Sequence, residues 1–244
     1  MGDRDSIEEK SNSQLSTLNS PLTYTIVVAG GSGSRMKSDL PKQFMPVAGR
    51  PVLMRTLDAF RSYSQEIQIK LVLPESQFDF WAKLCDDYAF ELSYQLVAGG
   101  ETRFHSVKNG LESIEAKEGL VAVHDGVRPF VSSLIIENSF QKAAEAGTAV
   151  TCVALKDSAR LVLTDGTNQA VSRADYRLVQ TPQTFRLDWM RQAFDTEVQP
   201  HFTDCASVLE AAGYPIHLIE GSYENIKITT PEDLLWAEAF LKKY

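Results

Sequence analysis

The stretch YTIVVAGGSGSRMKSDLPKQF, residues 24–44, decides how the rest of the chain is read. It opens with a run that is apolar nearly throughout, the composition of a strand buried on both faces. Glycines at 30, 31 and 33 follow, interleaved with Ser32 and Ser34 and succeeded by Arg35, Lys37 and Lys42. Clustered glycines let backbone amides approach an anion closely. Two familiar phosphate loops nevertheless fail here. A Walker loop begun at Gly31 would need its second glycine where Met36 stands. The dinucleotide fingerprint, also begun at Gly31, loses its third glycine to the same Met36, and Asp58 meets its ribose-binding acid only loosely.

Outward from that loop, apolar β-rich runs alternate with helical patterns. YTIVVAG precedes PVLMRTLDAFRSY, IKLVLP precedes FDFWAKLCDDYA, YQLVAGG precedes RFHSVKNGLESI, and LVAVHDG precedes SLIIENSFQKAAEAG. Such alternation predicts an α/β fold, a mostly parallel sheet covered by helices on both faces. With no fixed-period repeat and no internal linker, residues 23–244 read as one domain. Residues 155–176 break the rhythm with two short strand-like runs flanking Asp165-Gly166, a hairpin turn signal. An isolated hairpin is marginal in water, so this one is expected to lie on another surface, its own or a neighbouring subunit's. Near the end, ENIKIT reads as a strand leading to a helix, PEDLLWAEAFLKKY, with Thr230 as N-cap, Pro231 at its first position and Asp233 able to complete a capping box.

Composition narrows the function. Of 244 residues, 43% are hydrophobic and 23% charged, an ordinary globular balance, and the net charge of −8 disfavours nucleic acid as partner. Cysteines 85, 152 and 205 are odd in number and widely spaced, which suggests neither a disulfide framework nor a CxxC metal site. No apolar run approaches the roughly 18 residues that span a bilayer. The polar, acidic residues 1–22 lack the apolar core of a secretion signal and read as a disordered tail of a cytoplasmic protein.

A third form of phosphate loop does fit the opening stretch: GxGxRM followed by PKQ, with small residues for backbone approach, Arg35 and Lys42 for the charge of a nucleoside triphosphate, and Pro41 to stiffen the turn. Taken with AGGETRFHSV, VHDGVRPFV, QTPQTF and DCASVLEAAGYPIHLIEGSYENIKITTPEDL, in that order, the chain from about residue 23 onward resembles the 2-C-methyl-D-erythritol 4-phosphate cytidylyltransferases, and less closely the ribitol 5-phosphate cytidylyltransferases. The resemblance implies a Rossmann-like nucleotidyltransferase fold, CTP and Mg2+ as co-reactants, and a homodimer whose arm is the hairpin at about 155–178. It implies no metal ligands that could be named.

By that resemblance, Arg35 and Lys42 contact the CTP phosphates. Lys37 is a further cation of the same stretch, and the charge of Arg103 suits it to be an extra phosphate contact. Ala29 and Gly30 offer backbone contacts to CTP and Gly31 permits close approach, although Val28-Ala29-Gly30-Gly31 departs from the usual Pro-Ala-Ala-Gly. Gly100, Glu101 and Ser106 match the cytosine-recognition segment. Asp125 stands just beyond an apolar strand, able to hold a substrate or ribose hydroxyl or to sit near Mg2+, and the resemblance favours substrate contact. Arg128 is matched to an acceptor clamp, Ser158 and Arg173 to substrate contacts on the arm, and Thr181 and Lys227 to the rest of the acceptor site. Ser158 replaces the usual threonine and keeps its hydroxyl. His124 invites reading as a general base, but a phosphate nucleophile is already an anion, and it reads as structural.

Overall fold

The computed structural model describes residues 21–31 and 40–243. Arg35, Lys37 and all but the last two residues of the expected tail lie outside the described residues. Strand β1 (Thr23–Val28) is followed by a short antiparallel pair, β2 (Pro46–Val47) and β3 (Arg50–Pro51), and by helix α1 (Val52–Tyr63). Then β4 (Gln68–Leu73) leads to α2 (Phe78–Asp87), β5 (Gln95–Ala98) to α3 (Arg103–Glu112), and β6 (Leu120–Asp125) to α4 (Ser133–Ala146). The remainder comprises β7 (Thr148–Ala154), a hairpin of β8 (Arg160–Val162) and β9 (Asn168–Ala170), β10 (Arg177–Arg186), α5 (Leu187–Phe194), α6 (Cys205–Ala211), β11 (Leu218–Glu220) and α7 (Pro231–Lys243).

Seven strands form one sheet in the order β11-β7-β10-β6-β1-β4-β5. All neighbours pair in parallel except β10, which runs antiparallel to both β6 and β7. The alternation of side chains along each strand explains why the strands are apolar throughout. Val27, Leu71 and Ala122 pack with Leu53, Leu57, Phe60 and Phe140 of α1 and α4. Their neighbours Ile26, Val72, Val121 and Val123 enter the opposite layer with Phe104, Val107, Met190, Phe194 and Leu209 of α3, α5 and α6. Each such buried aliphatic or aromatic side chain contributes about 1.5–3 kcal/mol. Helix starts follow local chemistry: Thr102 and Ser132 accept the backbone N–H of His105 and Ile135.

The predicted strand over ENIKIT is absent. Residues 226–229 run without ladder partners, tied to the sheet region by one bond from Ile228 N–H to the Val127 carbonyl (2.9 Å). Ile226 and Ile228 are drawn instead into a small cluster with Val47, Val52, Val127 and α7, so their alternation reflects packing and not pairing. The helix after it starts where predicted. Asp233 accepts from the Thr230 N–H (2.8 Å), which is the back-bond of a capping box, and also from Thr229 N–H and hydroxyl.

The hairpin turns at Asp165-Gly166, where Gly166 has φ +84° and Asp165 accepts the Thr167 N–H (2.9 Å). Both of its strands are exposed along their whole length. Beyond it, the first three residues of β10 are exposed and the next six buried. A register shift between Val179 and Gln183 locally releases β10 from β7, and Thr181 sits within that shift.

Candidate active site

A cavity of about 190 Å3 opens at the carboxyl ends of β1, β5 and β6, the crest at which parallel α/β sheets hold ligands. Its described walls include Ala29, Gly30 and Gly31 after β1, Lys42 and Gln43, the loop Gly100–Arg103 with Ser106, and Asp125 with Lys227. Every described residue matched to CTP contact is therefore brought together, Arg35 lying outside the described residues. Lys42 lies over the glycine loop: a Cβ on Gly31 would stand 3.8 Å from its Nζ, so the missing side chain leaves the ammonium beside bare backbone.

The opposite wall is held by glycine and serine. The Gly100 N–H donates to Ser106 Oγ (3.1 Å), which folds the loop onto α3, and a Cβ at residue 100 would meet His105 Cβ at 2.4 Å. Ser106 thus shapes the loop from the helix's first turn. Gln43 spans to the first wall, donating to the Ala29 carbonyl (2.8 Å) and to Gln77 Oε1 (2.9 Å).

Asp125 is the electrostatic centre. Its Oδ2 lies 3.0 Å from Lys227 Nζ and 3.3 Å from Arg128 Nε, and its Oδ1 lies 3.7 Å from Arg103 Nε. Burial pushes its carboxyl up, but Arg103, Lys227 and Arg128 together hold it well below the usual carboxylate range. Three cations against one carboxylate leave a positive surplus, which favours an anionic ligand. Its backbone N–H donates to Thr181 Oγ1 (3.0 Å), which fixes the end of β6 against the shifted part of β10.

Some expected residues stand behind or away from the cavity. Arg128 is buried beneath it, donating to the Asn225 carbonyl (2.7 Å) as well as to Asp125, and Thr181 is likewise buried. Ser158 and Arg173 are exposed on the hairpin segment, where Arg173 Nη1 donates to the Lys156 carbonyl (2.8 Å). His124 is fully buried: burial pulls its pKa down to about 4, and its Nε2–H donates to the Arg128 carbonyl (3.1 Å). That is a structural role.

Gln43 closed the PKQ motif without being given a role, and Asn225 was not singled out at all. Asn225 donates to the Thr181 carbonyl (2.9 Å) and to Gln180 Oε1 (3.2 Å), anchoring the segment that presents Lys227. Its position two residues before that lysine was the available signal.

A mostly parallel sheet with a glycine-walled, cation-ringed cavity at its strand ends defines a nucleotide-binding α/β protein. A family described as 2-C-methyl-D-erythritol 4-phosphate cytidylyltransferase matches residues 23–243. The protein of that name from Bacteroides thetaiotaomicron is 53% identical over 216 residues, covering 88% of this chain and 98% of the relative. The one from Porphyromonas gingivalis is 48% identical over 220 residues, covering 89% and 97%. Among solved structures, the 4-diphosphocytidyl-2C-methyl-D-erythritol synthase of Anaerococcus prevotii superposes with TM-score 0.78 at 28% identity, covering 91% of this chain and 96% of that one. The cytidylyltransferase of Thermus thermophilus gives 0.73 at 31%, covering 91% and 100%. The chain belongs to the 2-C-methyl-D-erythritol 4-phosphate cytidylyltransferase family.

Proposed function

We infer that this chain transfers CMP from CTP to 2-C-methyl-D-erythritol 4-phosphate, giving 4-diphosphocytidyl-2-C-methyl-D-erythritol and pyrophosphate, a step in making isoprenoid precursors. Family membership sets the reaction, and one observation ties it to these residues: a single cavity places the Gly30-Gly31-Lys42 wall, the Gly100–Ser106 loop and the Asp125–Lys227 pair around a common space. Cytosine lies on the Gly100–Glu101 loop, shaped by Ser106, and the triphosphate runs over Ala29, Gly30 and Gly31 toward Lys42, with Arg35 assigned to the same phosphates by its place in the motif. The acceptor phosphate lies by Lys227, with Asp125 and Thr181 ordering that side and Arg128 supporting Asp125 from beneath.

An acceptor phosphate oxygen forms a bond to the α-phosphorus as the bond to the β-phosphate bridging oxygen breaks, and pyrophosphate leaves with that electron pair. No proton must be removed from the nucleophile, so no general base is assigned. What the chain supplies is positive charge and alignment, which reduce repulsion between two polyanions and stabilise the leaving group. Among the described residues no cluster of three His, Cys, Asp or Glu side chains could cage a metal. Asp125 is already engaged by three cations. Mg2+ would enter with the CTP it accompanies and would offset charge on the phosphates.

Residues 23–244 are proposed as one catalytic domain and 155–178 as an arm that completes the acceptor site of a second copy with Ser158 and Arg173. The exposed apolar side chains Leu161, Val162, Leu163, Tyr176, Leu178 and Val179, each 44–69% exposed, support a homodimer covering that face. Among the described residues no helix is long and apolar enough to cross a membrane. A cytoplasmic setting suits the three unpaired cysteines and the use of CTP.

The test is pyrophosphate release from CTP with methylerythritol phosphate, run beside ribitol 5-phosphate. Turnover should favour the former, and Lys42→Ala should lower kcat/KM by about 100- to 1000-fold in a folded protein. Preference for ribitol phosphate, or full activity of the Lys42 variant, would refute the assignment.

A further inference from the structure

A second group of side chains converges behind Arg103. Gln183 is 1% exposed on β10, and its Oε1 accepts the backbone N–H groups of Cys205 and Ala206 (3.1 Å each) while its Nε2 donates to Asp204 Oδ2 (2.9 Å). Asp204 caps α6, accepting the Ser207 N–H (2.8 Å), and Ser207 Oγ accepts the Asp204 N–H (3.3 Å). The first turn of α6 is thus tied to β10, which fixes the fully buried Cys205. Its Sγ accepts from Arg103 Nη1 (3.3 Å), and on the other side Arg103 Nε faces Asp125 Oδ1 at 3.7 Å.

The guanidinium is therefore bracketed from two sides while its side chain keeps 30% exposure in the cavity wall. Its Nη2 has no hydrogen-bond partner among the described residues. A free arginine side chain samples many rotamers, and fixing it during folding removes that entropic cost from ligand binding. Location selects the ligand group. Arg103 directly follows the Gly100–Thr102 loop and faces Asp125, with the Gly30-Gly31-Lys42 wall opposite. For a nucleoside whose base rests on that loop, the phosphate attached at its 5′ carbon falls between these walls.

We propose that Arg103 grips the α-phosphoryl group of the bound cytidine nucleotide, and that Gln183, Asp204 and Cys205 are positioning residues that aim it. This rests on reading the cavity as a CTP site. A planar fork suits two oxygens on one phosphorus, the atom at which substitution occurs.

Cytidine and CMP, titrated into the full chain by calorimetry, separate base from phosphate. Arg103→Gln should weaken CMP about tenfold and leave cytidine unchanged, with kcat falling about 100-fold and KM for the acceptor little altered. Arg103→Lys should recover part of the CMP affinity. Cys205→Val should weaken CMP by a smaller factor, and that loss should vanish in the Arg103→Gln background. Unchanged CMP affinity in Arg103→Gln would overturn the proposal. So would equal losses of cytidine and CMP, which would mean collapse of the base loop, or a Cys205→Val effect independent of Arg103. Turnover of the wild-type chain is measured alongside: if it releases no pyrophosphate, the functional reading fails, while the comparison of CMP with cytidine still decides the role of Arg103.

Discussion

Replacing Asp125 by Asn tests the charge cluster on which the cavity depends. The substitution keeps the side chain's size but leaves Lys227, Arg128 and Arg103, now 3.0, 3.3 and 3.7 Å from the carboxylate, facing one another without an anion. Lys227 and Arg103 have side chains 40% and 30% exposed, so water screens them, whereas Arg128 is 11% exposed and is not relieved. Breaking a buried pair costs about 3–5 kcal/mol and an exposed one about 0–1 kcal/mol. With Arg128 counted nearer the first kind and partly eased by its bond to Asn225, a loss of roughly 2–4 kcal/mol is expected. At about 2–4 °C per kcal/mol for a chain of this size, the melting temperature falls by about 4–16 °C at pH 7.

The pH dependence has a definite sign. Asp125 has its folded-state pKa held down by the three cations, so its contribution is full above the unfolded value of about 3.9 and fades as pH drops below it. The gap between wild type and Asp125→Asn should be level from pH 8 to about 5 and narrow only in stronger acid. Pyrophosphate should raise the variant's melting temperature more than the wild type's, because an added anion replaces the lost charge. Thermal melts followed by circular dichroism, with and without pyrophosphate, provide the readout. Equal melting temperatures at pH 7, or a gap that widens in acid, would refute the reasoning.

His124 titrates in a different window. Its folded-state pKa of about 4 lies below the unfolded value near 6.5, so the wild type sheds about 2 kcal/mol between pH 6.5 and 4.5 that His124→Gln, which keeps an Nε2–H for the Arg128 carbonyl, should not. Urea titrations of both proteins at both pH values check this, and an equal loss of stability in the two would count against a buried neutral imidazole. For the arm, mixing inactive Arg173→Ala and Lys42→Ala subunits under exchange should restore about a quarter of wild-type activity, since half the dimers are mixed and each has one intact site. Exchange without rescue would mean that each chain completes its own site.

Much of this fold could be read locally because its signals are local. Strands such as LVAVHD are apolar on both faces because α3 and α5 cover one side and α1 and α4 the other, and each predicted strand through β6 was followed by its predicted helix. The antiparallel direction of β10 carries no such signature, since it follows from pairing with β6 and β7, distant in the chain. ENIKIT misled for a related reason: Ile226 and Ile228 alternate because both pack against α7, and nothing in their spacing distinguishes that from a ladder.

The candidate site shows the same division. Gly30, Gly31 and Lys42 lie close together in the sequence and were readable as a phosphate-binding set. The gathering of Arg103 and Lys227 around Asp125 and its near neighbour Arg128 draws on three separate stretches of the chain and appears only in three dimensions. The link from Gln183 through Cys205 to Arg103 joins residues up to 102 apart in sequence, and no residue type in it announces nucleotide chemistry.

The most direct test of the central claim is a crystal structure of this chain with CTP bound. The account predicts cytosine seated against Gly100–Glu101 and the triphosphate laid along Gly30-Gly31 within reach of Lys42. Nucleotide bound at any other surface, with this cavity left to solvent, would contradict it.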